Sequence, residues 1–235
     1  METPPDTGGD ELLAALRLPP PTGTIVVNGS VATLEEGLSE RLAAVVGSNG
    51  LAGTVEREGL TAVTGATDAG IFSILGRAMA GGPAPLVGVA PRRLVTWPGR
   101  LPVGLRWLDR GRVPLEPHHS HFVLVDGHEW GDETPALLAL ARALNVLAPS
   151  VALLCGGGPV TRNEVLGHVR DGRPVVVVAG SGRFADELAA ALNGHRGDHD
   201  AEVEEILTNG RLTVCPLSDG APALVGAVCA ALRPA

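Results

Sequence analysis

The chain of 235 residues is 45% hydrophobic, 19% charged and carries a formal net charge of −8. That composition folds around a sizeable core, and the length suits one large α/β domain. The acidic balance argues against a general nucleic-acid binder, which needs a basic face against phosphates. All 18 basic residues are arginine, so a P-loop lysine and a pyridoxal-phosphate Schiff base are both excluded.

Residues 1–22 read as a polar, Pro-rich, flexible tail, with a short helix over 11–17 and a single domain over 23–235. Thr24–Asn28 is a short apolar run that fits a buried strand, ended by Gly29-Ser30. Thr33 and Glu36 match a capping box, and Leu34, Leu38, Leu42 and Val45 continue at helical spacing to Gly47. Leu60–Thr64 is the next strand, Gly65 its turn, and Ile71 to Met79 the next helix. Pro85–Val89 and His121–Val125 are strands, separated by a less regular stretch, 91–118, that holds six arginines. Pro135–Leu147 reads as a helix and Val151–Cys155 as a strand. A glycine turn follows, then a helix to Arg170, the strand Pro174–Ala179, Gly180-Ser181-Gly182, and a helix to Asn193. A helix over 201–208, a strand at Leu212–Cys215 and a helix over 221–232 complete the chain.

Continuous apolar strands alternating with helices predict a Rossmann-like α/β three-layer sandwich with a mostly parallel sheet. Ligands in such sheets sit beyond the carboxyl ends of the strands, on the turns into helices. Gly156-Gly157-Gly158-Pro159-Val160-Thr161 is the strongest candidate. Its glycines admit close approach of a ligand, and the helix that follows offers free N–H groups to a phosphate. Gly180, Ser181, Gly182 and Arg183 repeat the pattern, with an arginine where the helix dipole does not favour one. Thr64, Gly65, Ala66, Thr67 and Asp68 form a third turn, in which Asp68 serves either a ligand or a helix cap. Gly29 and Ser30 form a fourth. The six arginines at 92, 93, 100, 106, 110 and 112 either close over a diphosphate or pair with surface carboxylates.

Other chemistries lack their residues. No turn carries G-x-G-x-x-G with a distal acid, so dinucleotide-dependent dehydrogenation is not indicated and no cofactor is expected. In His118-His119-Ser120-His121, His119 and His121 share one face of an extended segment, but nothing nearby supplies a clear third ligand, so no metal is assigned. Ser181 is not in a G-x-S-x-G elbow. Cys155, Cys215 and Cys229 read as buried hydrophobes of a reducing compartment. No apolar run reaches the ~18–20 residues of a membrane span, and no signal peptide opens the chain, so a cytoplasmic location is expected.

Four segments carry a resemblance: Thr64–Gly70, His119-Ser120-His121-Phe122-Val123-Leu124-Val125-Asp126, Gly156–Thr161 and Val175–Arg183. Together they resemble the SLOG superfamily, in the branch shared by prokaryotic proteins and the cytosolic N-terminal region of melastatin-type TRP channels. The likeness runs from about residue 22 to 215. It implies a Rossmann-like domain that senses a nucleotide derivative, such as ADP-ribose or its cyclic forms. It also implies phosphates on Gly156–Thr161, homo-oligomers, and a separate effector protein. Two departures stand out. Val160 replaces a glycine of the family's GG-x-GT turn, and Ala66 replaces the second glycine of the channel pattern. A more distant likeness to LOG-type phosphoribohydrolases implies a ribose-contacting or catalytic role for Glu164. Ligand sensing is preferred over turnover.

Overall fold

The computed structural model describes residues 1–29, 37–101, 109–195 and 199–233. Its valine- and leucine-rich runs are strands because both of their faces are covered. Ile25 and Val27 of β2 (Thr24–Gly29) face one helical layer, and Val26 between them faces the other. The same alternation holds in β8 (Ser150–Cys155), where Leu153 and Leu154 point into opposite cores.

In chain order, β1 is Glu2–Thr3, α1 Gly9–Leu16, α2 Leu38–Val46, α3 Leu51–Glu58, β3 Thr61–Thr64 and α4 Gly70–Ala78. Then come β4 (Leu86–Pro91), β5 (Val95–Thr96), β6 (Val113–Pro114), β7 (His121–Val125) and α5 (Thr134–Leu147). After β8 follow α6 (Pro159–Arg170), β9 (Val175–Ala179), α7 (Arg183–Leu192), α8 (Ala201–Asn209), β10 (Leu212–Pro216) and α9 (Gly220–Ala231). Eight strands form one sheet in the order β1-β7-β4-β3-β2-β8-β9-β10, and every neighbouring pair is parallel. Helices α2, α3, α4 and α9 cover one face. Helices α1 and α5 cover one half of the other face, and α6, α7 and α8 its second half. The chain is therefore the expected Rossmann-like three-layer sandwich.

Residues 1–22 do not form a detached tail. Glu2 and Thr3 pair with Leu124 and Val125 as an edge strand, and Leu12 and Leu16 of α1 are buried against α5. A leucine pair one helical turn apart needs a partner surface, and β7 needs its open edge covered. A second correction is α3, which the sequence did not announce. Leu51, Ala52 and Val55 give it an apolar face, although it lies between glycines and lacks a side-chain cap.

The capping box at Thr33–Glu36 lies outside the described residues. No helix among the described residues is long and apolar enough to cross a membrane. The three cysteines are free, with Cys155 and Cys215 buried.

Candidate nucleotide site

The connections run outward from two central strands. From β2 the sheet continues through β3, β4 and β7, and from β8 through β9 and β10. Chain direction across the sheet therefore reverses between β2 and β8. At such a switch point the helices leave to opposite sides, and a crevice opens above the carboxyl ends. Gly29 pairs with Cys155 at the last rung of this ladder.

A cavity of about 290 Å3 opens at this point. One wall is the start of α6, from Gly158 through Pro159, Val160 and Thr161 to Glu164. The second wall is Gly29, Gly65 and Phe72. The third is Trp130 and Glu133, from the segment that leads into α5, and Arg183 at the start of α7 completes the lining.

The turn after β8 is built for this position. Pro159 opens α6 at its first turn, where a missing N–H costs nothing. Thr161 donates its hydroxyl hydrogen to the Gly29 carbonyl at 3.1 Å and so ties α6 to the end of β2. Among the described residues, the N–H groups of Gly157, Gly158, Val160 and Thr161 meet no protein acceptor. Free amides at a helix start favour an anion. Gly157 has φ +104°, and a β-carbon there would lie 2.7 Å from the Thr161 methyl. Gly156 and Gly157 are buried beneath the turn and do not line the cavity, so their part is to shape it.

The turn after β9 is internally satisfied. Gly180 and Gly182 donate their N–H groups to the Asp186 carboxylate at 2.6 and 3.1 Å. Ser181 is buried; its Oγ accepts from the Gly156 N–H at 2.8 Å and donates to the Val178 carbonyl at 2.5 Å. It braces the two turns rather than facing the cavity. Of this turn only Arg183 reaches the lining, with a left-handed φ of +52°.

The turn after β3 contributes Gly65 alone to the lining. Thr64 is fully buried and shares a 2.7 Å hydrogen bond with His119 Nε2, while its Oγ1 accepts from the Ala66 N–H at 3.0 Å. His119 Nδ1 donates in turn to Glu116 at 2.9 Å. Burial pushes the Glu116 carboxyl up, but bonds from His119 and His118 outweigh it and hold the group below its usual range. Thr67 is buried away from the cavity. Asp68 accepts from the Ser73 hydroxyl at 2.6 Å and faces Arg77, so its side chain serves α4. Ser30 lies outside the described residues.

Among the described residues, none of the arginine-rich stretch lines the cavity. Arg92 pairs with Glu2 and Arg93 with Asp126, while Arg100 and Arg112 share Asp109. The pairing alternative accounts for these four, and Arg106 lies outside the described residues.

Three lining residues escaped the sequence reading: Phe72, Trp130 and Glu133. Glu133 and Glu164 are 5% and 7% exposed, two buried carboxyl groups on one cavity. Burial raises the Glu133 pKa, partly offset by bonds from its own N–H and that of Gly131. Burial, followed by the charge of Glu133, pushes Glu164 up to about 8. Among the described residues no group of three His, Cys, Asp or Glu is placed to hold a metal.

A family model described as "SLOG in TRPM, prokaryote" matches residues 22–225. The chain belongs to this family. The mouse and rat transient receptor potential cation channel subfamily M member 2 are each 33% identical to it over 88 residues. Those matches cover 32% of this chain and 6% of the channels, so the chain spans a small fraction of their length. The X-ray structure of TM1055, a structural-genomics target, matches with a TM-score of 0.56 at 16% identity. That match covers 88% of this chain and 99% of the other, and it establishes the shared fold.

Both departures from the SLOG pattern have a structural counterpart. Ala66, where the channel pattern has glycine, adopts a left-handed φ of +66°. That conformation favours glycine, and the buried Ala66 methyl packs over Gly88 instead. Val160 approaches Gly131, so its side chain narrows the cavity between α6 and the Trp130 segment.

Proposed function

We propose that this SLOG domain binds a nucleotide-derived ligand, such as ADP-ribose, cyclic ADP-ribose or a related nucleotide. Membership of the family supports a nucleotide-related function. The observation that carries the reading is the position of the cavity. It lies at the sheet's switch point, with unpaired amides of the α6 start on one wall and Arg183 on another. In this reading the phosphates rest on Gly158–Thr161 beside Arg183. The domain acts as a sensor that hands its state to a separate effector, and it works as a homo-oligomer in the cytoplasm.

One observation favours a second reading, cleavage of a nucleoside monophosphate between base and ribose. Glu164 lines the cavity and keeps its proton up to about pH 8. A carboxylic acid that is neutral at pH 7 can protonate a leaving base.

Thermal shifts with ADP-ribose, cyclic ADP-ribose, NAD and AMP, followed by assay of the same mixtures for free base, separate the two. Stabilisation without released base is the expected result. Adenine released from AMP, and lost in Glu164→Ala, would establish the hydrolase instead. No stabilisation by any of the four would remove both readings.

A further inference from the structure

A second hollow, of about 180 Å3, lies at the amino ends of β8, β9 and β10, the opposite end of the sheet from the nucleotide cavity. It is framed by the last turn of α5, the loop from α6 into β9, the residue before β10 and the end of α9. Three arginines line it: Arg173, Arg211 and Arg233. Asp171 is the one acid among its lining residues, and both of its carboxylate oxygens already accept from Arg142 Nε, at 2.8 and 2.9 Å. Asp171 also faces Arg173 at 3.6 Å, while Arg211 and Arg233 have no ion pair among the described residues.

A chain of net charge −8 has no general reason to gather cations in one place. Part of the reason is local, because α5, α6 and α9 end here and the carboxyl end of a helix attracts cations. Each helix end is worth about −0.5 charge, so with Asp171 the three leave about +1.5 of the charge on Arg142, Arg173, Arg211 and Arg233 unmatched. Arg173 is held rigidly within this field. It is 4% exposed, and its Nε donates to the Ser150 hydroxyl at 2.8 Å. Its Nη1 donates at 2.5 Å to Nδ1 of His168, which burial keeps neutral, and His168 Nε2 donates to Asn28 at 3.2 Å. Among the described residues Nη2 of Arg173 has no acceptor, which leaves it for the hollow. Burial, which outweighs the attraction of Asp171, pushes the guanidinium below its usual range. A buried cation that its neighbours compensate only in part favours an added anion.

We propose that this hollow is a second ligand site, for a small polyanion of the diphosphate type, with Arg173 as its floor and Arg211 and Arg233 closing on it from the rim. Planar guanidinium forks match phosphate oxygens two at a time. Three forks offer more donors than a single carboxylate can accept, and a diphosphate can accept from all of them. The hollow is smaller than the nucleotide cavity, which suits a small anion. It shares no lining residue with that cavity, so the site stands whether or not the domain binds a nucleotide.

Titration calorimetry of the full chain with pyrophosphate at low salt tests this. The double variant Arg211→Ala/Arg233→Ala removes the rim at two exposed positions and should weaken pyrophosphate about tenfold or more. Arg17→Ala/Arg110→Ala removes the same charge at two exposed positions outside the hollow and should change it by less than about twofold. Arg183→Ala, at the nucleotide cavity, should leave pyrophosphate binding in place, and the response to AMP should be the same in the rim variant as in the wild type. Absence of pyrophosphate binding in the wild type would overturn the proposal. So would equal losses in the rim and control variants, which would mark a general charge effect, or a loss confined to Arg183→Ala, which would place the anion at the nucleotide cavity. Binding of a glutamate-rich peptide in place of pyrophosphate, lost in the rim variant, would overturn the diphosphate and make the hollow a contact for an acidic protein segment.

Discussion

The turns after β8 and β9 share a parallel strand, glycines at positive φ and a following helix, yet their backbone amides meet different partners. In the β9 turn, Asp186 from the first turn of α7 folds back and takes the N–H groups of Gly180 and Gly182. In the β8 turn no described acidic side chain does the same, and the amides of Gly158, Val160 and Thr161 meet no described acceptor at the cavity wall. An array of backbone N–H groups is an anion site only while no carboxylate of the protein fills it. One residue position thus separates a self-contained turn from one able to take a ligand.

The largest expected effect comes from the glycines that shape the β8 turn. Gly157→Ala places a β-carbon 2.7 Å from the Thr161 methyl at a φ of +104°. It should cost about 2 kcal/mol in urea unfolding, the scale of a residue forced into a sparsely populated conformation. Gly158→Ala is the matched control, because its β-carbon meets nothing within 4 Å. Its stability should stay within about 0.5 kcal/mol of wild type, while its affinity for AMP falls. Unchanged AMP affinity would place the phosphates away from this turn.

Asp186→Ala addresses the other side of the comparison. Loss of the shared acceptor should cost about 1.5–3 kcal/mol, the range for hydrogen bonds to a charged group. The freed amides of Gly180 and Gly182 should then respond to inorganic phosphate. A thermal stabilisation by phosphate larger in the variant than in the wild type is the expected sign. Equal stabilisation would mean that Asp186 does not stand in for an anion.

A further expected effect is pH-dependent. Glu164 has a folded-state pKa of about 8, above its ordinary value of 4.5. The folded state therefore holds this proton more tightly than the unfolded chain does. Its stabilising effect is complete below about pH 4.5 and is lost as pH rises toward 8. Glu133 is raised as well and adds in the same direction. His168 works in the opposite sense. Burial, then the charge of Arg173, lowers its pKa, so protonation below its ordinary value of 6.5 destabilises the fold. Glu164→Gln removes only the first contribution. The melting temperature of the variant minus that of the wild type should grow from pH 5 to pH 8. A constant difference across that range would show that Glu164 is ionised throughout.

Much of this molecule was legible because its signals are local. The strand His121–Val125 coincides with its apolar run, and α5, α6 and α7 follow their turns closely. Gly158 through Glu164 were legible as a candidate site because they lie within one helix start, and all but Arg162 and Asn163 line the cavity. Other parts have no local signature. A two-residue strand such as Glu2–Thr3 is too short to show a period, and only the open edge of β7 gives it a partner. Trp130 and Glu133 lie in a polar segment where neither residue is unusual by itself. Asp186 reads as an ordinary acidic residue near a helix start, and only the fold-back shows that it closes the preceding turn.

The order of strands, turns and helices follows from the amino-acid sequence alone, because apolar periodicity and glycine placement act over a few residues. The glycine turn after β8 and membership of the SLOG family were also written there. Tertiary structure decided which turn stays open and what stands opposite it. Thr161 reaches Gly29 across 132 positions of chain. Glu133 and Glu164 meet at one cavity only because α5 and α6 flank the same end of the sheet. Burial, and with it the proton on Glu164, is a property of that assembled environment, since an isolated carboxyl group in water keeps its ordinary pKa.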